Sequence, residues 1–259
     1  MLTLTTQGAV ATLTLNRPDK HNAFDDALIA QLTQTFQDVA QRDDIRVLVL
    51  TGAGASFCAG ADLAWMKKMR DFSEAENRAD ATQLSNMLQA LDTLPQVTIA
   101  RVNGQAFGGA LGLIACCDLA VAVENARFCF SEVKLGIAPA TIAPYVVRAI
   151  GVKNARRYCL TAERFNAASA QQIGLVNEVC PTDALDTQVQ TWLNALLHNG
   201  PHAMRATKAL LRDIANPSHA SDITQQTIAL IARLRVSAEG QEGLGAFFEG
   251  RPPAWSAGN

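Results

Sequence analysis

The chain has 259 residues, of which 49% are hydrophobic and 18% charged, and its formal net charge is −2. These values are typical of a globular protein, and they lack the excess of basic residues that predicts nucleic-acid binding. The first residues, MLTLTTQG, contain no basic segment followed by an apolar one, and the apolar residues 106–123 include glycine, cysteine and aspartate. We therefore expect no signal peptide, no membrane span and a cytoplasmic location.

The first part of the chain predicts strands that alternate with helices. Residues 8–18, GAVATLTLNRP, alternate apolar and polar side chains as a half-buried strand does. Residues 45–52, IRVLVLTG, form a short apolar run that predicts a buried strand. Between them, residues 25–41 predict an amphipathic helix. Its apolar face carries Leu28, Leu32, Phe36 and Val39.

The middle of the chain repeats this alternation. Ser73 and Glu76 have the spacing of a capping box and predict the start of a helix that ends near Pro95. Residues 97–104 and 118–123 predict two further strands. The buried side of the helix carries Leu84, Met87, Leu88 and Leu91. This order of elements predicts an α/β fold with parallel crossovers.

Beyond about residue 185 the pattern becomes helical. Residues 223–236, ITQQTIALIARLRV, predict a strongly amphipathic helix. Such a helix either packs on its own domain or forms a subunit interface. Its apolar stripe consists of Ile223, Thr227, Leu230, Ile231 and Leu234.

Cysteine and histidine spacing predicts free thiols and no metal site. None of the six cysteines belongs to a CxxC motif, and the four histidines have no metal-ligand spacing. The cysteines are Cys58, Cys116, Cys117, Cys129, Cys159 and Cys180.

Two glycine-bearing segments follow predicted strands, at residues 51–66 and 102–119. Small residues let a ligand approach the backbone, and the unpaired N–H groups at a helix start attract negative charge. Two such helix starts converging on one oxygen would form an oxyanion hole. The alternative is that these glycines only permit tight turns. A dinucleotide-binding loop is disfavoured, because Phe57 replaces the third glycine of the GxGxxG motif.

Several segments resemble the enoyl-CoA hydratase/isomerase, or crotonase, superfamily. The resemblance covers essentially the whole chain in the family's order. The matching segments are LNRPDKHNAF (15–24), FCAGADL (57–63), VNGQAFGGALGL (102–113), FSEVKLGIAP (130–139), AASAQQIGLVNEV (167–179) and EGLGAFFEGRPPAW (242–255).

The resemblance implies a crotonase-like spiral of ββα units with a helical C-terminal region. It assigns residues 1–195 to the spiral core and residues 196–259 to a helical trimerisation region. It also implies a trimer or a dimer of trimers, and an acyl-CoA thioester as substrate. No cofactor is implied beyond the CoA that the substrate carries.

For the catalytic site, the resemblance points to Ala61, Gly109 and Glu132. The N–H groups of Ala61 and Gly109 would hold the thioester oxygen, where fixed dipoles stabilise the developing enolate. Glu132 would be the general acid/base, because burial raises a carboxyl pKa towards neutrality. A surface or salt-bridged role is the alternative for Glu132.

For the CoA moiety, the resemblance points to His21, Ala23, Ala59 and Asp62, largely through their backbone. Capping of the following helix is the alternative role of Asp62. Arg251 stands next to the position where many relatives carry a lysine that approaches the CoA phosphates from a neighbouring subunit.

One family residue is missing. Where hydratases of the family carry a first catalytic glutamate, in G-G-G-x-E-L, this chain has Gly112. With Glu132 alone, the site could hydrate a 2-enoyl-CoA or move the double bond of a 3-enoyl-CoA. A non-catalytic protein that binds acyl-CoA is a third hypothesis.

In finer detail the chain is similar to bacterial methylglutaconyl-CoA and isohexenylglutaconyl-CoA hydratases, which favours hydration of a branched or carboxylated substrate. A second substrate carboxylate would need a cation. The candidate cations are Lys67, Lys68, Arg70 and Arg148.

Overall fold

The computed structural model describes residues 1–215 and 223–256. Within them the strands are β1 (Leu2–Gln7), β2 (Val10–Leu15), β3 (Val47–Gly52), β4 (Ser56–Cys58), β5 (Val97–Val102), β6 (Gln105–Phe107), β7 (Leu119–Val123), β8 (Arg127–Cys129), β9 (Phe165–Asn166) and β10 (Glu178–Cys180). The α-helices are α1 (Asp26–Ala40), α2 (Leu63–Met69), α3 (Glu74–Asp92), α4 (Ala110–Cys116), α5 (Ala143–Thr161), α6 (Ala167–Gln172), α7 (Leu185–Leu197), α8 (Pro201–Ile214), α9 (Ile223–Val236) and α10 (Ala238–Glu249). Short 3₁₀ helices cover Pro18–Lys20, Glu132–Leu135, Thr182–Ala184 and Ala254–Ser256.

The strands form two sheets. The main sheet has the order β1-β2-β3-β5-β7-β10, with β1 antiparallel to β2 and the later neighbours parallel. The second sheet has the order β4-β6-β8-β9, and its first three strands are parallel. Successive turns of the chain therefore add one strand to each sheet and then a helix, as in β3-β4-α2, β5-β6-α4 and β7-β8-α5. This is the predicted spiral of ββα units in an α/β fold.

The predicted apolar faces form the core between the sheets and helices. On α1, the four predicted core residues are at most 1% exposed, and all side chains of β3 are buried. Ser73 and Glu76 form the predicted capping box at the start of α3. Met87, Leu88 and Leu91 of that helix are fully buried, which confirms its predicted core face.

The C-terminal helices are anchored to the core by polar contacts. Lys208 of α8 donates hydrogen bonds to Asp118 (2.7 Å) and to the backbone carbonyl of Gln96 (2.9 Å). Arg46 donates to the backbone carbonyls of Asn199 and Trp255. The predicted boundary between residues 195 and 196 falls in the last turn of α7, and the predicted C-terminal region also includes 216–222 and 257–259, which lie outside the described residues.

The helix α9 agrees with its predicted range. Ile223, Thr227, Leu230 and Leu234 of the predicted stripe are half-buried, whereas Ile231 is exposed. The six cysteines are free thiols, as expected. Across both described ranges, no helix combines the length and hydropathy needed to cross a bilayer.

Candidate active site

The first glycine segment lies at the junction of β4 and α2. Gly60 has a φ of +85°, a conformation that glycine adopts without strain. Phe24 donates its N–H to the carbonyl of Gly60 (2.8 Å) and accepts a hydrogen bond from the N–H of Asp62 (2.9 Å). Ala61 stands opposite Phe24 in this parallel bridge. In such a bridge the middle residue turns its own N–H away from the partner strand, so the Ala61 N–H faces the other side.

The second glycine segment lies at the junction of β6 and α4. Gly108, with a φ of +55°, donates its N–H to the carbonyl of Cys129 at 2.9 Å. Gly109 is the N-cap of α4, so its N–H precedes the first intrahelical hydrogen bond. In the described part of the chain, neither this N–H nor that of Ala61 donates to a protein acceptor.

These two junctions lie side by side. β4 and β6 are paired in parallel, and a Cβ on Gly60 would lie 2.6 Å from the carbonyl oxygen of Phe107. The Phe24 ring, from the segment that bridges Ala61, reaches Gly109: a Cβ there would lie 2.6 Å from Phe24 Cζ. The fold therefore brings together the two segments whose N–H groups are predicted to form an oxyanion hole.

Glu132 lies next to the second junction. It begins a 3₁₀ helix just after β8, and its Oε1 would lie 3.4 Å from a Cβ placed on Gly108. Its Oε2 is buried and has no hydrogen-bond partner among the described residues. Burial raises the pKa of this carboxyl above its ordinary value. A buried carboxyl without an ion-pair partner is suited to accept and return a proton.

The space that a side chain at position 112 would occupy is already filled. A Cβ at this position would lie 2.9 Å from Cβ of Ile142, closer still to its Cγ2, and 3.3 Å from Cδ2 of Leu88. Ile142 and Leu88 are almost completely buried. The side of α4 that faces them is therefore closed by apolar side chains.

Four of the predicted CoA-binding residues cluster beside the first junction: His21, Ala23, Ala59 and Asp62. His21 has a left-handed φ of 49°, and its Nδ1 lies 2.9 Å from Oγ of Ser56. Ala59 donates its N–H to the carbonyl of His21 at 2.9 Å. Ala23 is buried, and its carbonyl accepts a hydrogen bond from Arg17.

Asp62 has a structural role in this cluster. Its Oδ1 accepts the N–H of Ala64 and so caps α2, which is the alternative that the sequence left open. Its Oδ2 lies 2.9 Å from both Arg17 Nη2 and Lys20 Nζ. The hydrogen bond from Lys20 is the main cause that lowers the pKa of this carboxyl. Lys20, which is 47% exposed, is a cation beside His21 that was not predicted as a site residue.

Arg251 lies apart from these segments. Its guanidinium forms ion pairs with Glu242 (2.7 Å) and Glu249 (2.6 Å), which raise the pKa of Arg251. Its hydrogen bonds within the described residues are all to the stretch 242–252. The structure of one chain therefore does not bring Arg251 to Glu132 or to the glycine segments.

The cations considered for a second substrate carboxylate have other partners or are exposed. Arg148 pairs with Asp92. It lines a cavity of about 810 Å³ at the C-terminal end of α4, remote from Gly109. Lys68 lies 3.6 Å from Asp26, and Arg70 lies 3.5 Å from Asp71. Lys67 is exposed. None of these ion pairs includes Glu132.

Two apolar residues beside the glycine segments, Phe24 and Ile142, were not predicted from the sequence. Both contact glycines far away in the chain, Gly109 and Gly112 respectively. Local periodicity carries no signal for such contacts, and only the absence of side chains at the glycines hints that a neighbour approaches closely.

Comparison with known proteins agrees with this geometry. A family model described as enoyl-CoA hydratase/isomerase matches residues 5–258. The chain belongs to the enoyl-CoA hydratase/isomerase family. It is 35% identical over 253 residues to the 2,3-dehydroadipyl-CoA hydratase of Escherichia coli, with 97% of each chain covered.

Solved structures extend the likeness to the fold. An enoyl-CoA hydratase from Shewanella pealeana is 46% identical with a TM-score of 0.94, covering 98% of this chain and 95% of that one. Pseudomonas aeruginosa AtuE is 36% identical with a TM-score of 0.95, covering 98% of this chain and 99% of that one. The protein is thus an enzyme of the enoyl-CoA hydratase/isomerase family with the fold of its relatives.

Proposed function

We propose that this enzyme adds water to a 2-enoyl-CoA thioester, with Glu132 as its one catalytic carboxylate. The observation that carries the proposal is the carboxyl of Glu132, whose Oε1 lies beside Gly108 and whose buried Oε2 has no partner in the described part of the chain. Because no described side chain neutralises this carboxyl, it supports a role for Glu132 in proton transfer.

The proposed reaction uses one carboxylate twice. Glu132 takes a proton from water while the water oxygen bonds to the β-carbon and the π electrons move onto the thioester oxygen. The N–H groups of Ala61 and Gly109 stabilise the resulting enolate, and losing one such donor typically costs about 3–4 kcal/mol in the transition state. Glu132 then gives its proton to the α-carbon, which regenerates the carboxylate and the thioester carbonyl.

We also propose a branched or carboxylated acyl group, of the 3-methylglutaconyl type. The CoA moiety would lie along His21, Ala23, Ala59 and Asp62, largely against their backbone. Asp62 would act by holding Arg17 and Lys20 in place, since its own carboxylate repels phosphate. Arg251 would reach CoA only from a neighbouring subunit.

The exposed apolar side chains of α9 and α10 support assembly as a trimer or a dimer of trimers. Phe247 and Phe248 are 76% and 79% exposed, and Val236 is 77% exposed. Large apolar side chains exposed next to each other, such as Phe247 and Phe248, are typical of contact surfaces. We place residues 196–259 in this assembly region and the enzyme in the cytoplasm, with no cofactor beyond the CoA of its substrate.

Double-bond migration is the second candidate function. It is favoured by Gly112, where Ile142 and Leu88 close the space of a second acid. A single carboxylate can remove a proton from the α-carbon of a 3-enoyl-CoA and return it to the γ-carbon.

A panel of substrates tests the proposal. Crotonyl-CoA and 3-methylglutaconyl-CoA should lose the absorbance of the conjugated thioester when the enzyme is added. If both stay unchanged while a 3-enoyl-CoA gains that absorbance, the isomerase is the correct function. If every thioester stays unchanged but binds in calorimetry, the protein is a non-catalytic acyl-CoA binder.

A further inference from the structure

The segment between Glu132 and Ile142 contacts the chain both before α4 and within it. Glu132 lies against Gly108, two residues before the helix, and Ile142 lies against Gly112, the third residue of the helix. The side chain of Ile142 is 1% exposed, and Leu88 of α3 closes the same space from the other side. The carboxylate and the apolar wall therefore contact positions four residues apart, one just before α4 and one within it.

The packing at Gly112 is too close for any side chain. Real Cβ atoms do not approach other atoms within 3.0 Å, yet a Cβ here would be 2.9 Å from Cβ of Ile142 and nearer to its Cγ2. Neither neighbour can withdraw easily, because both side chains are buried in a close-packed core. Gly112 is thus required by Ile142, and the missing acid cannot be restored by a change at position 112 alone.

We propose that Ile142 is a specificity-determining residue, which excludes a second acid and its water from the site and so leaves both proton transfers to Glu132. This inference rests on the proposed function, because it concerns the same reaction. Ile142 acts by occupying space beside the reacting groups and carries no proton itself. An apolar wall offers water no hydrogen-bond partner, so the attacking water is held by Glu132.

The steric part is tested without any substrate. Replacing a helical glycine by alanine normally stabilises a protein, and Gly245→Ala on α10, where a Cβ meets nothing within 4 Å, is the matched control. We expect Gly245→Ala to raise the thermal midpoint by about 2–4 °C and Gly112→Ala to lower it. When Ile142 is replaced by glycine, Gly112→Ala should no longer destabilise the protein. When Val146 is replaced by glycine as a control, Gly112→Ala should still be destabilising.

The functional part is tested by the pH profile of kcat/KM from about pH 5 to 9, a range in which carboxyl groups of raised pKa titrate. The wild-type profile should show one ascending limb, from Glu132. The nearby thiols add none, because burial raises the pKa of Cys159 to about 11 and that of Cys129 above its ordinary value. The double variant Gly112→Glu/Ile142→Gly should show a second ionisation, and Gly112→Glu/Val146→Gly should not.

Two results would overturn the inference. One is a second ionisation in the wild-type profile that is also present in His21→Gln, which would reveal a second acid. The other is an equal effect of Gly112→Ala in the wild-type and Ile142→Gly backgrounds, which would show that Ile142 does not restrict position 112. If the wild type turns over no thioester, the proposed function fails by itself, and the stability cycle still decides whether Ile142 excludes a side chain.

Discussion

At the junction of β4 and α2, charged side chains hold the backbone in place, whereas at the junction of β6 and α4 close apolar packing does so. Asp62 caps α2 and pairs with Arg17 and Lys20. No side chain caps α4, whose residues are all buried.

The contrast predicts how each junction responds to change. A charged network tolerates small shifts, because long side chains can adjust. Close packing around glycine does not, because an added carbon atom displaces the backbone itself. We therefore expect substitutions of the charged side chains at the first junction to affect mainly stability, and substitution of Gly109 at the second junction to affect mainly catalysis.

The largest effect is expected from Gly109→Ala. Its new Cβ would lie 2.6 Å from Cζ of Phe24, so the N–H that we propose as an oxyanion donor must move. We expect kcat to fall by about 100- to 1,000-fold, the usual loss when one oxyanion donor is removed. Steady-state kinetics would measure it. The variant Gly109→Ala/Phe24→Leu should recover part of the loss, and unchanged kcat in the single variant would contradict the assignment.

At the first junction, Asp62→Ala should lower the free energy of unfolding by about 2 kcal/mol, because Arg17 and Lys20 lose their carboxylate and α2 loses its cap. We expect kcat to change much less than in Gly109→Ala. Urea denaturation and steady-state kinetics would measure both. If Asp62→Ala lowered kcat more than Gly109→Ala does, the expected difference between the two junctions would be contradicted.

Asp62 also makes the first junction sensitive to acid. Its pKa is lowered in the folded protein, mainly by the hydrogen bond from Lys20. The stabilisation is present above the ordinary carboxyl pKa of about 3.9 and is lost as the pH falls through the lower folded value. The difference in unfolding free energy between wild type and Asp62→Asn should therefore shrink below about pH 4. A difference that stays constant would show that the ion pairs contribute nothing.

The smallest effect is expected at a site remote from both junctions. Ser73→Ala removes the capping box of α3 and should cost about 1 kcal/mol of unfolding free energy. Activity should not change. A loss of activity would mean that α3, which carries Leu88 against Gly112, transmits strain to the site.

Local pattern predicted much of the fold. The alternation in residues 8–18, the amphipathic helix over 25–41 and the capping box at Ser73 are all confirmed. The short strands β4, β6 and β8 of the second sheet were not predicted as strands, because three residues are too few for a period. The break at Gly151 within α5, with a φ of +71°, was missed for the same lack of a local signal.

In the site, too, some residues could be predicted from the sequence and others could not. Family motifs located Ala61, Gly109 and Glu132, and the structure places their segments together. The contacts of Phe24 with Gly109 and of Ile142 with Gly112 join residues that are 85 and 30 positions apart in the numbering. Such contacts depend on tertiary packing, which side-chain periodicity does not encode.

The most direct test of the account is the rate of Glu132→Gln on the best 2-enoyl-CoA of the panel. The amide keeps the shape of the side chain but can neither take a proton from water nor return it. We predict that kcat falls by about 100- to 10,000-fold, as expected for the loss of a general acid/base, with KM little changed. A variant that hydrates the substrate at the wild-type rate would contradict the assignment of Glu132 as the catalytic carboxylate.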